Sequence, residues 1–232
     1  MSPARPGRAT IRPSRAVRLD FDRIALALEA SGADDSIEPY ERALLRRLPE
    51  RMGAVLDIGC GDGALTRHVA RRAQSVLAVD ISPAMIRVAR ERSASHANID
   101  YQVADVATME LPAAAFDVVL SVATLHHVSP LAPVVERLAA ALRPGGLLIV
   151  QDLVDRHGTR HLPANALAWL ARRLRGGRGA RHDAVASLYE KHGRTEHYLT
   201  PAEAARGWAR LLPGSRVSQH LEWRYTVTWR RA

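Results

Sequence analysis

Hydrophobic residues follow two alternating patterns through the middle of the chain. Short, nearly continuous apolar runs typical of buried strands occur at 54–58, 75–79, 100–104, 116–122 and 147–151. Between these runs, apolar residues spaced three or four apart predict helices over 64–72, 83–93 and 131–142. Strands that alternate with helices pair in parallel through right-handed crossovers, so this segment predicts a doubly wound α/β sheet.

Local signals mark the ends of several elements. Ser82 stands before a proline and predicts a helix start, because serine caps a helix and proline is tolerated in its first turn. Thr200 and Glu203 have the spacing of a capping box and predict a second helix start. Apolar residues at every second position over 217–229 predict two antiparallel strands, joined near Arg224 at the edge of the sheet.

These patterns divide the chain into five segments. Residues 1–19 are rich in arginine and proline, which predicts a flexible basic tail. Helical spacing over 20–50 predicts N-terminal helices, and 51–152 holds the alternating strands and helices. A helical cap is predicted over 153–199, and a closing helix with two strands over 200–232.

The chain is strongly basic, with a formal net charge of +9. A basic excess is typical of nucleic-acid-binding proteins, but 32 of the 33 basic residues are arginine, Lys191 being the exception. This imbalance is typical of a GC-rich coding bias at least as much as of a phosphate-binding surface, and the arginines are dispersed over clusters at 5–18, 156–181 and 230–231. We therefore expect a solvated basic surface and regard nucleic-acid binding as the less favoured reading.

Features that the sequence lacks argue against a membrane span, a disulfide and a metal site. No apolar run reaches the roughly 18 residues that a membrane span needs, which predicts a soluble, cytoplasmic protein. The single cysteine, Cys60, excludes an internal disulfide and a multi-cysteine zinc site. No histidine pair with metal-ligand spacing and a nearby acid stands out, so we expect no metal.

A glycine-rich turn follows the first predicted strand. The turn has three glycines at every second position, Gly59, Gly61 and Gly63. Asp57 lies just before them inside an apolar strand, and Asp80 ends the next strand. A buried strand, a glycine turn that opens a helix, and an acid at the next strand end are typical of a nucleoside-binding unit.

The Gly-x-Gly-x-Gly spacing, the preceding acid and the order of elements over roughly 50–152 resemble the class I S-adenosylmethionine-dependent methyltransferases. The resemblance implies a Rossmann-like, mostly parallel sheet of seven strands with an antiparallel C-terminal hairpin and a helical cap. It also implies S-adenosylmethionine as the cofactor and methyl transfer as the activity.

The same resemblance implies roles for individual residues. The glycines would admit the methionine part of the cofactor, Asp57 would face its ammonium group, and Asp80 would accept from the ribose hydroxyls. Positions after the second and third strands would contact the adenine. The residues matching the family's cofactor-binding positions are Asp57, Gly59, Cys60, Gly61, Asp80, Ile81, Asp105, Val106 and Ser121.

Two histidines, His126 and His127, follow the fourth strand. Many small-molecule methyltransferases carry a similar Leu-His-His step, which borders the point of methyl transfer. An unperturbed histidine pKa near 6.5 suits a general base, and His126 is the better candidate. A role in packing or in orienting the substrate is the alternative.

The acceptor is restricted by the motifs that are absent. No Asn-Pro-Pro-Tyr or Asp-Pro-Pro-Tyr follows the fourth strand, which disfavours methylation of base amino groups. A small-molecule O, N or C nucleophile is therefore expected, and an RNA methyltransferase or a protein that binds NAD remains an alternative. Candidate acceptor residues in the variable segments are Tyr40, Trp169, Tyr189, His197 and Tyr198.

Overall fold

The computed structural model describes residues 13–31, 36–155, 180–193, 196, 198–220 and 223–232. Seven strands are present in these ranges: Met52–Ile58 (β1), Ala73–Asp80 (β2), Ile99–Val103 (β3), Phe116–Val122 (β4), Leu142–Leu153 (β5), Arg216–His220 (β6) and Arg224–Arg230 (β7). The α-helices are Ser14–Ser31 (α1), Pro39–Leu45 (α2), Ala64–Ala70 (α3), Pro83–Arg92 (α4), Leu131–Ala141 (α5), Ala180–Gly193 (α6) and Pro201–Leu211 (α7), and Leu125–His127 forms a 3-10 turn.

All seven strands belong to one sheet with the order β3-β2-β1-β4-β5-β7-β6. The first five pair in parallel, and β7 enters antiparallel between β5 and β6. Crossover helices make the parallel half possible, because parallel neighbours cannot be joined by a tight turn. The predicted fold class, a doubly wound sheet closed by an antiparallel hairpin, is confirmed.

Helices cover both faces of the sheet and bury two hydrophobic layers. One layer joins α5 and α7 to the sheet through residues such as Leu138, Trp208 and Val119. The other joins α2, α3 and α4 to the opposite face, where Leu44 and Val55 are fully buried. Strands covered on both faces need continuous apolar sequences, which explains the runs from which they were predicted.

Helix α1 corrects the predicted N-terminal boundary. The basic tail was predicted to extend to residue 19, but α1 begins at Ser14. Val17 lies on the same face as the apolar residues one and two turns further on, and it is 4 % exposed. The arginines beside it obscured that face in the sequence. The rest of the predicted tail, 1–12, lies outside the described residues.

Helix α1 packs on α4 and α6 and is fixed by polar contacts as well as apolar ones. Its Ile24 and Ala25 are buried against Met85 of α4. Asp22 accepts a hydrogen bond of 2.6 Å from the Ser82 hydroxyl, and the Ser82 oxygen in turn accepts the N–H of Met85 at 3.0 Å. Ser82 therefore caps α4, as predicted, and joins α1 to the end of β2.

The C-terminal elements agree with the prediction except at their turn. The Thr200 hydroxyl accepts the N–H of Glu203 at 3.3 Å, which confirms the capping box. Strand β6 ends at His220 and β7 begins at Arg224. Trp223, which was expected in the first strand, therefore lies in the turn between them, with a φ of 52°. Of the predicted cap, 156–179 lies outside the described residues. None of the described helices has the length and apolarity that crossing a bilayer requires.

Candidate active site

A cavity of about 1730 Å³ lies at the carboxyl ends of the parallel strands. The chain leaves β1 toward the face covered by α3 and leaves β4 toward the face covered by α5. These diverging connections open a crevice at the switch point of the sheet, where α/β proteins bind ligands. Residues of α1, α2 and α6, such as Phe21, Tyr40 and Tyr189, line the other side of the cavity.

Three glycines with positive φ shape the turn between β1 and α3. A Cβ atom on Gly59 would lie 2.0 Å from Thr124 Oγ1, and one on Gly63 would lie 2.4 Å from the Tyr101 hydroxyl oxygen. A Cβ atom on Gly61 would meet no atom within 4 Å. Gly59 and Gly63 therefore allow close packing within the protein, whereas Gly61 leaves space on the cavity side.

Asp80 joins the glycine turn to the end of β2. One of its oxygens accepts the N–H of Gly61 at 2.9 Å, and the other accepts the N–H of Ser82 at 2.9 Å. Burial raises the pKa of Asp80 to about 6, although these two hydrogen bonds act to lower it. A carboxylate oxygen accepts more than one hydrogen bond, so Asp80 retains the capacity to bind hydroxyl groups in the cavity that it lines.

Asp57 is a buried carboxylate at the end of β1. It is 2 % exposed, and it accepts a hydrogen bond of 2.6 Å from the Thr66 hydroxyl. Burial raises the pKa of Asp57 to about 7, and Asp80 and Glu41 raise it further. A nearby positive charge would favour its ionised form. Cys60 lines the same end of the cavity, where burial raises the pKa of its thiol.

The loop after β3 borders another part of the cavity. Asp105 holds this loop, because its side chain accepts the N–H of Ala107 at 2.9 Å. The carbonyl of Val106 accepts a hydrogen bond of 2.8 Å from Arg137 on α5. Asp105, Val106 and Ile81 all line the cavity, as the sequence comparison with the family predicts.

Ser121, another residue that the resemblance assigns to the cofactor, lies inside the sheet. Its side chain is fully buried, and its Oγ has no hydrogen-bond partner in the described structure. Ser121 is not among the residues that line the cavity, whereas the next two residues, Val122 and Ala123, are. Side chains alternate along a strand, so Ser121 points away from the face that Val122 presents to the cavity.

His126 is held by Asp152 at the end of β5. Its Nδ1 lies 2.6 Å from Asp152 Oδ1, and its backbone N–H donates to Oδ2 at 2.9 Å. Burial acts to raise the pKa of Asp152, but the charge and hydrogen bonds of His126 lower it overall. An ionised Asp152 accepts only, so Nδ1 of His126 carries a proton, and in the neutral ring the lone pair is on Nε2. The ring also packs against Tyr198, with 5.1 Å between centroids.

A second group of ionisable residues surrounds His127. Its Nδ1 lies 3.1 Å from Glu196, and its Nε2 lies 3.4 Å from Nε2 of His192. His192 in turn has its Nδ1 3.1 Å from Asp20 on α1. Burial lowers the pKa of His127 to about 4, so it is neutral at neutral pH. Atoms of His126, His127 and Glu196 that could bind a metal lie within 4.8 Å of one another. No metal was expected from the sequence.

Sequence reasoning missed the partners of these histidines. The sequence did contain a signal for Asp152, because it is an acid directly after the apolar run of a predicted strand. Asp57, before the glycine turn, was singled out on the same kind of evidence. Glu196 and His192 carried none, since their contacts join residues far apart in the chain. Arg224, which also lines the cavity, was interpreted as part of a strand junction.

The acceptor residues suggested by the sequence fall into two groups. Tyr40, Tyr189 and Tyr198 line the cavity. Trp169 and His197 lie outside the described residues. The lining of the cavity is thus partly aromatic.

Comparison with known proteins identifies the family. Residues 56–150 match the model of a methyltransferase domain. The chain is 37 % identical to an uncharacterized methyltransferase of Mycobacterium tuberculosis over 194 residues, 82 % of this chain and 93 % of the relative. The chain belongs to the S-adenosylmethionine-dependent methyltransferases. Another relative of this chain is the ubiquinone biosynthesis O-methyltransferase of Xanthomonas axonopodis, which is 34 % identical over 71 % of this chain and 63 % of that protein.

Solved structures share the methyltransferase fold. The structure of DhpI in complex with S-adenosylhomocysteine aligns with 94 % of this chain over 93 % of the DhpI chain, with a TM-score of 0.61 and 21 % identity. A methyltransferase from Mesorhizobium loti covers 82 % of this chain and 97 % of its own, with a TM-score of 0.57 and 22 % identity. The methyltransferase described here uses S-adenosylmethionine as its cofactor, and the space beside Gly61 and the accepting oxygens of Asp80 fit such a ligand.

Proposed function

We propose that this methyltransferase transfers a methyl group to a hydroxyl oxygen of a small biosynthetic molecule, with His126 as the general base. The observation that supports this proposal is the His126–Asp152 pair beside the cavity, at 2.6 Å between Nδ1 and Oδ1. A thioether acceptor would need no base, and an amine acceptor reacts through its lone pair once it is neutral. A hydroxyl group gains most from a base that removes its proton during the reaction.

The cofactor residues proposed are those that line the cavity at the ends of β1, β2 and β3. Asp80 would accept from the ribose hydroxyls, and Asp57 would attract the ammonium group. Ile81 and Val106 would border the adenine ring. Bound S-adenosylmethionine supplies a methyl group already activated by its sulfonium, so the protein's main contribution is alignment.

The chain's own residues would handle the acceptor proton. Asp152 keeps the proton of His126 on Nδ1, which leaves the Nε2 lone pair to take the proton of the acceptor hydroxyl. When Nε2 becomes protonated, the ionised Asp152 stabilises the positive imidazolium. Tyr198 restricts the ring by packing on it, so the base keeps one orientation. His126 is thereby held for proton transfer and not for packing alone.

The name of one relative supports an oxygen acceptor, and the names of two support a small biosynthetic acceptor. The Xanthomonas relative is named for O-methylation in ubiquinone biosynthesis. Another relative, from Tropheryma whipplei, is named demethylmenaquinone methyltransferase and is 35 % identical over 58 % of this chain and 57 % of its own. Both names describe small biosynthetic acceptors.

Two measurements test the proposal. Calorimetry with S-adenosylhomocysteine should show binding, and Asp80→Asn should weaken it by at least about tenfold through loss of charge-assisted hydrogen bonds. Label transfer from methyl-labelled S-adenosylmethionine into a metabolite pool should identify the acceptor. His126→Gln should then lower kcat by about 10²–10⁴-fold with the S-adenosylhomocysteine affinity unchanged.

His96→Gln is the matched control for His126→Gln, because His96 lies in the loop after α4, away from the cavity. The control should retain wild-type activity. Full activity of His126→Gln would refute the base assignment. Absence of S-adenosylhomocysteine binding would refute the assigned cofactor residues as well.

A further inference from the structure

Arg224, the first residue of β7, is half-buried and lines the cavity. The guanidinium carbon lies 3.6 Å from the centroid of the Tyr40 ring, on the face of the aromatic system. Its Nη1 is buried and has no hydrogen-bond partner in the described structure. Tyr40 thus holds the guanidinium group against its ring, and one donor of this group, Nη1, is left without a partner among the described residues.

An unpaired charged donor in a protein interior is costly, so it indicates a missing partner. Glu41 lies within electrostatic range of Arg224, but its Oε2 already accepts the N–H of Glu38 at 2.7 Å. Burial also raises the pKa of Glu41 to about 7, which leaves part of this carboxyl neutral at neutral pH. Arg224 forms no ion pair among the described contacts. An anion that enters the cavity would complete its hydrogen bonding.

The sheet register places Arg224 on the acceptor side of the cavity. Arg224 pairs with Leu153 of β5, and the preceding β5 residue, Asp152, is the one that holds His126. Arg224 is also within electrostatic range of Tyr198, which packs on the His126 ring. The proposed cofactor residues end β1, β2 and β3, on the other side of β4 in the sheet.

We propose that Arg224, stacked on Tyr40, binds the carboxylate of an acidic acceptor whose hydroxyl group lies at His126. The inference rests on the proposed function and adds the substrate class, a hydroxylated acid with an apolar or aromatic body. A planar guanidinium suits a carboxylate, which accepts two parallel hydrogen bonds from it. Glu38 also lines this cavity, and its negative charge opposes a dianionic phosphate more than a singly charged carboxylate.

Calorimetry on the full chain saturated with S-adenosylhomocysteine tests this inference. The probes are three hydroxylated aromatic acids (para-hydroxybenzoate, protocatechuate and para-coumarate), each compared with its methyl ester. The wild-type protein should bind at least one acid at least about tenfold more tightly than the ester, since a hydrogen bond to a charged group has this magnitude. In Arg224→Gln the preference should fall to about twofold or less.

Two variants control for charge and folding. Arg224→Lys keeps the charge but loses the planar donor pair, so it should retain only part of the preference for the acid. Arg216→Gln removes the same charge from the exposed start of β6 and should keep the wild-type preference.

Two outcomes overturn the inference. One is a wild-type protein that binds none of the acids more tightly than their esters. The other is a loss of S-adenosylhomocysteine affinity of tenfold or more in Arg224→Gln, because the bound carboxylate would then be that of the cofactor. Neither outcome depends on the role of His126, so a failed proposed function is recognised separately by the His126→Gln rates.

Discussion

Asp152→Asn is the substitution that most directly tests how the base is held. The carboxylate accepts three N–H groups: His126 Nδ1 at 2.6 Å and Leu153 N at 2.8 Å on one oxygen, and His126 N at 2.9 Å on the other. An asparagine amide has one accepting oxygen and one donating nitrogen, so at least one of these donors loses its acceptor. A buried donor left unsatisfied costs about 1–3 kcal/mol.

The effect on catalysis depends on which way the asparagine amide faces. If its oxygen still faces His126 Nδ1, the base keeps its tautomer but loses the negative charge that stabilises the imidazolium. A charged hydrogen bond contributes about 1.5–3 kcal/mol, which corresponds to a fall in kcat of about 10–100-fold. If the amide nitrogen faces Nδ1, the ring proton moves to Nε2, and a fall of up to about 10⁴-fold is expected, as in a serine protease with the same substitution.

The assay combines label transfer to the identified acceptor with S-adenosylhomocysteine calorimetry and thermal unfolding. Asp117→Asn is the matched control, since Asp117 also accepts a backbone N–H, that of Ala54 at 2.7 Å, but at the amino end of β4. Both variants should lose stability, and only Asp152→Asn should lose kcat. A kcat for Asp152→Asn within about twofold of wild type, with His126→Gln inactive, would show that Asp152 does not orient the base.

Three further outcomes are expected. Gly63→Ala should lower the free energy of unfolding by roughly 1–3 kcal/mol, because the φ of Gly63 is positive and the new Cβ would meet the Tyr101 hydroxyl. In urea titrations, adding Tyr101→Phe should restore part of the lost stability. No restoration would contradict the assigned clash. The folded pKa of Asp57, about 7, lies above its ordinary value, so its contribution favours folding at low pH and is lost as pH rises toward 7. Asp57→Asn should therefore reduce the pH dependence of the melting temperature of the ligand-free protein between about pH 4 and pH 7, and an unchanged slope would contradict this. EDTA should leave label transfer unaffected, because His127 and Glu196 are hydrogen-bonded to each other; lost activity that one divalent metal restores would reveal a metal site instead.

Local signals in the sequence predicted much of the fold and the cofactor side of the site. Apolar runs and the Gly59 turn are encoded by residues close together in the chain, and their spacing follows from strand and helix geometry. The acids that end β1 and β2 could be placed at one edge because parallel strands bring their carboxyl ends together. Ser121, which was also assigned to the cofactor, does not line the cavity, because its side-chain direction depends on the alternation within β4.

The acceptor side could not be predicted in the same way. His192 meets Asp20 across 172 residues of sequence, and no local pattern encodes such a pairing. The position of Arg224 depends on the register of β7 against β5, which is decided by how both sheet faces pack. Candidate cofactor-binding residues are thus easier to predict from the sequence than the residues that select the substrate.

The high arginine content also has a structural explanation beyond surface charge. Arg67 is 1 % exposed, and its Nη1 donates to the carbonyl of Asp62 at 3.0 Å in the glycine turn. Arg137 donates to the carbonyls of Val106 and Ala107 at 2.8 Å. Some arginines thus hold the loops that border the cavity, so net charge alone is a poor indicator of a nucleic-acid partner here.

The insertion of β7 between β5 and β6 also affects how the chain folds during synthesis. Both β4 and β5 are made before β7, the last of the seven strands, so the second edge of β5 has no partner until β7 is available. The apolar segment 147–150 of β5 would meanwhile present unpaired backbone groups, the feature that promotes aggregation of nascent chains. Completing the acceptor side of the cavity and protecting this edge are therefore one folding event, and variants that delay β7 should depend more strongly on chaperones.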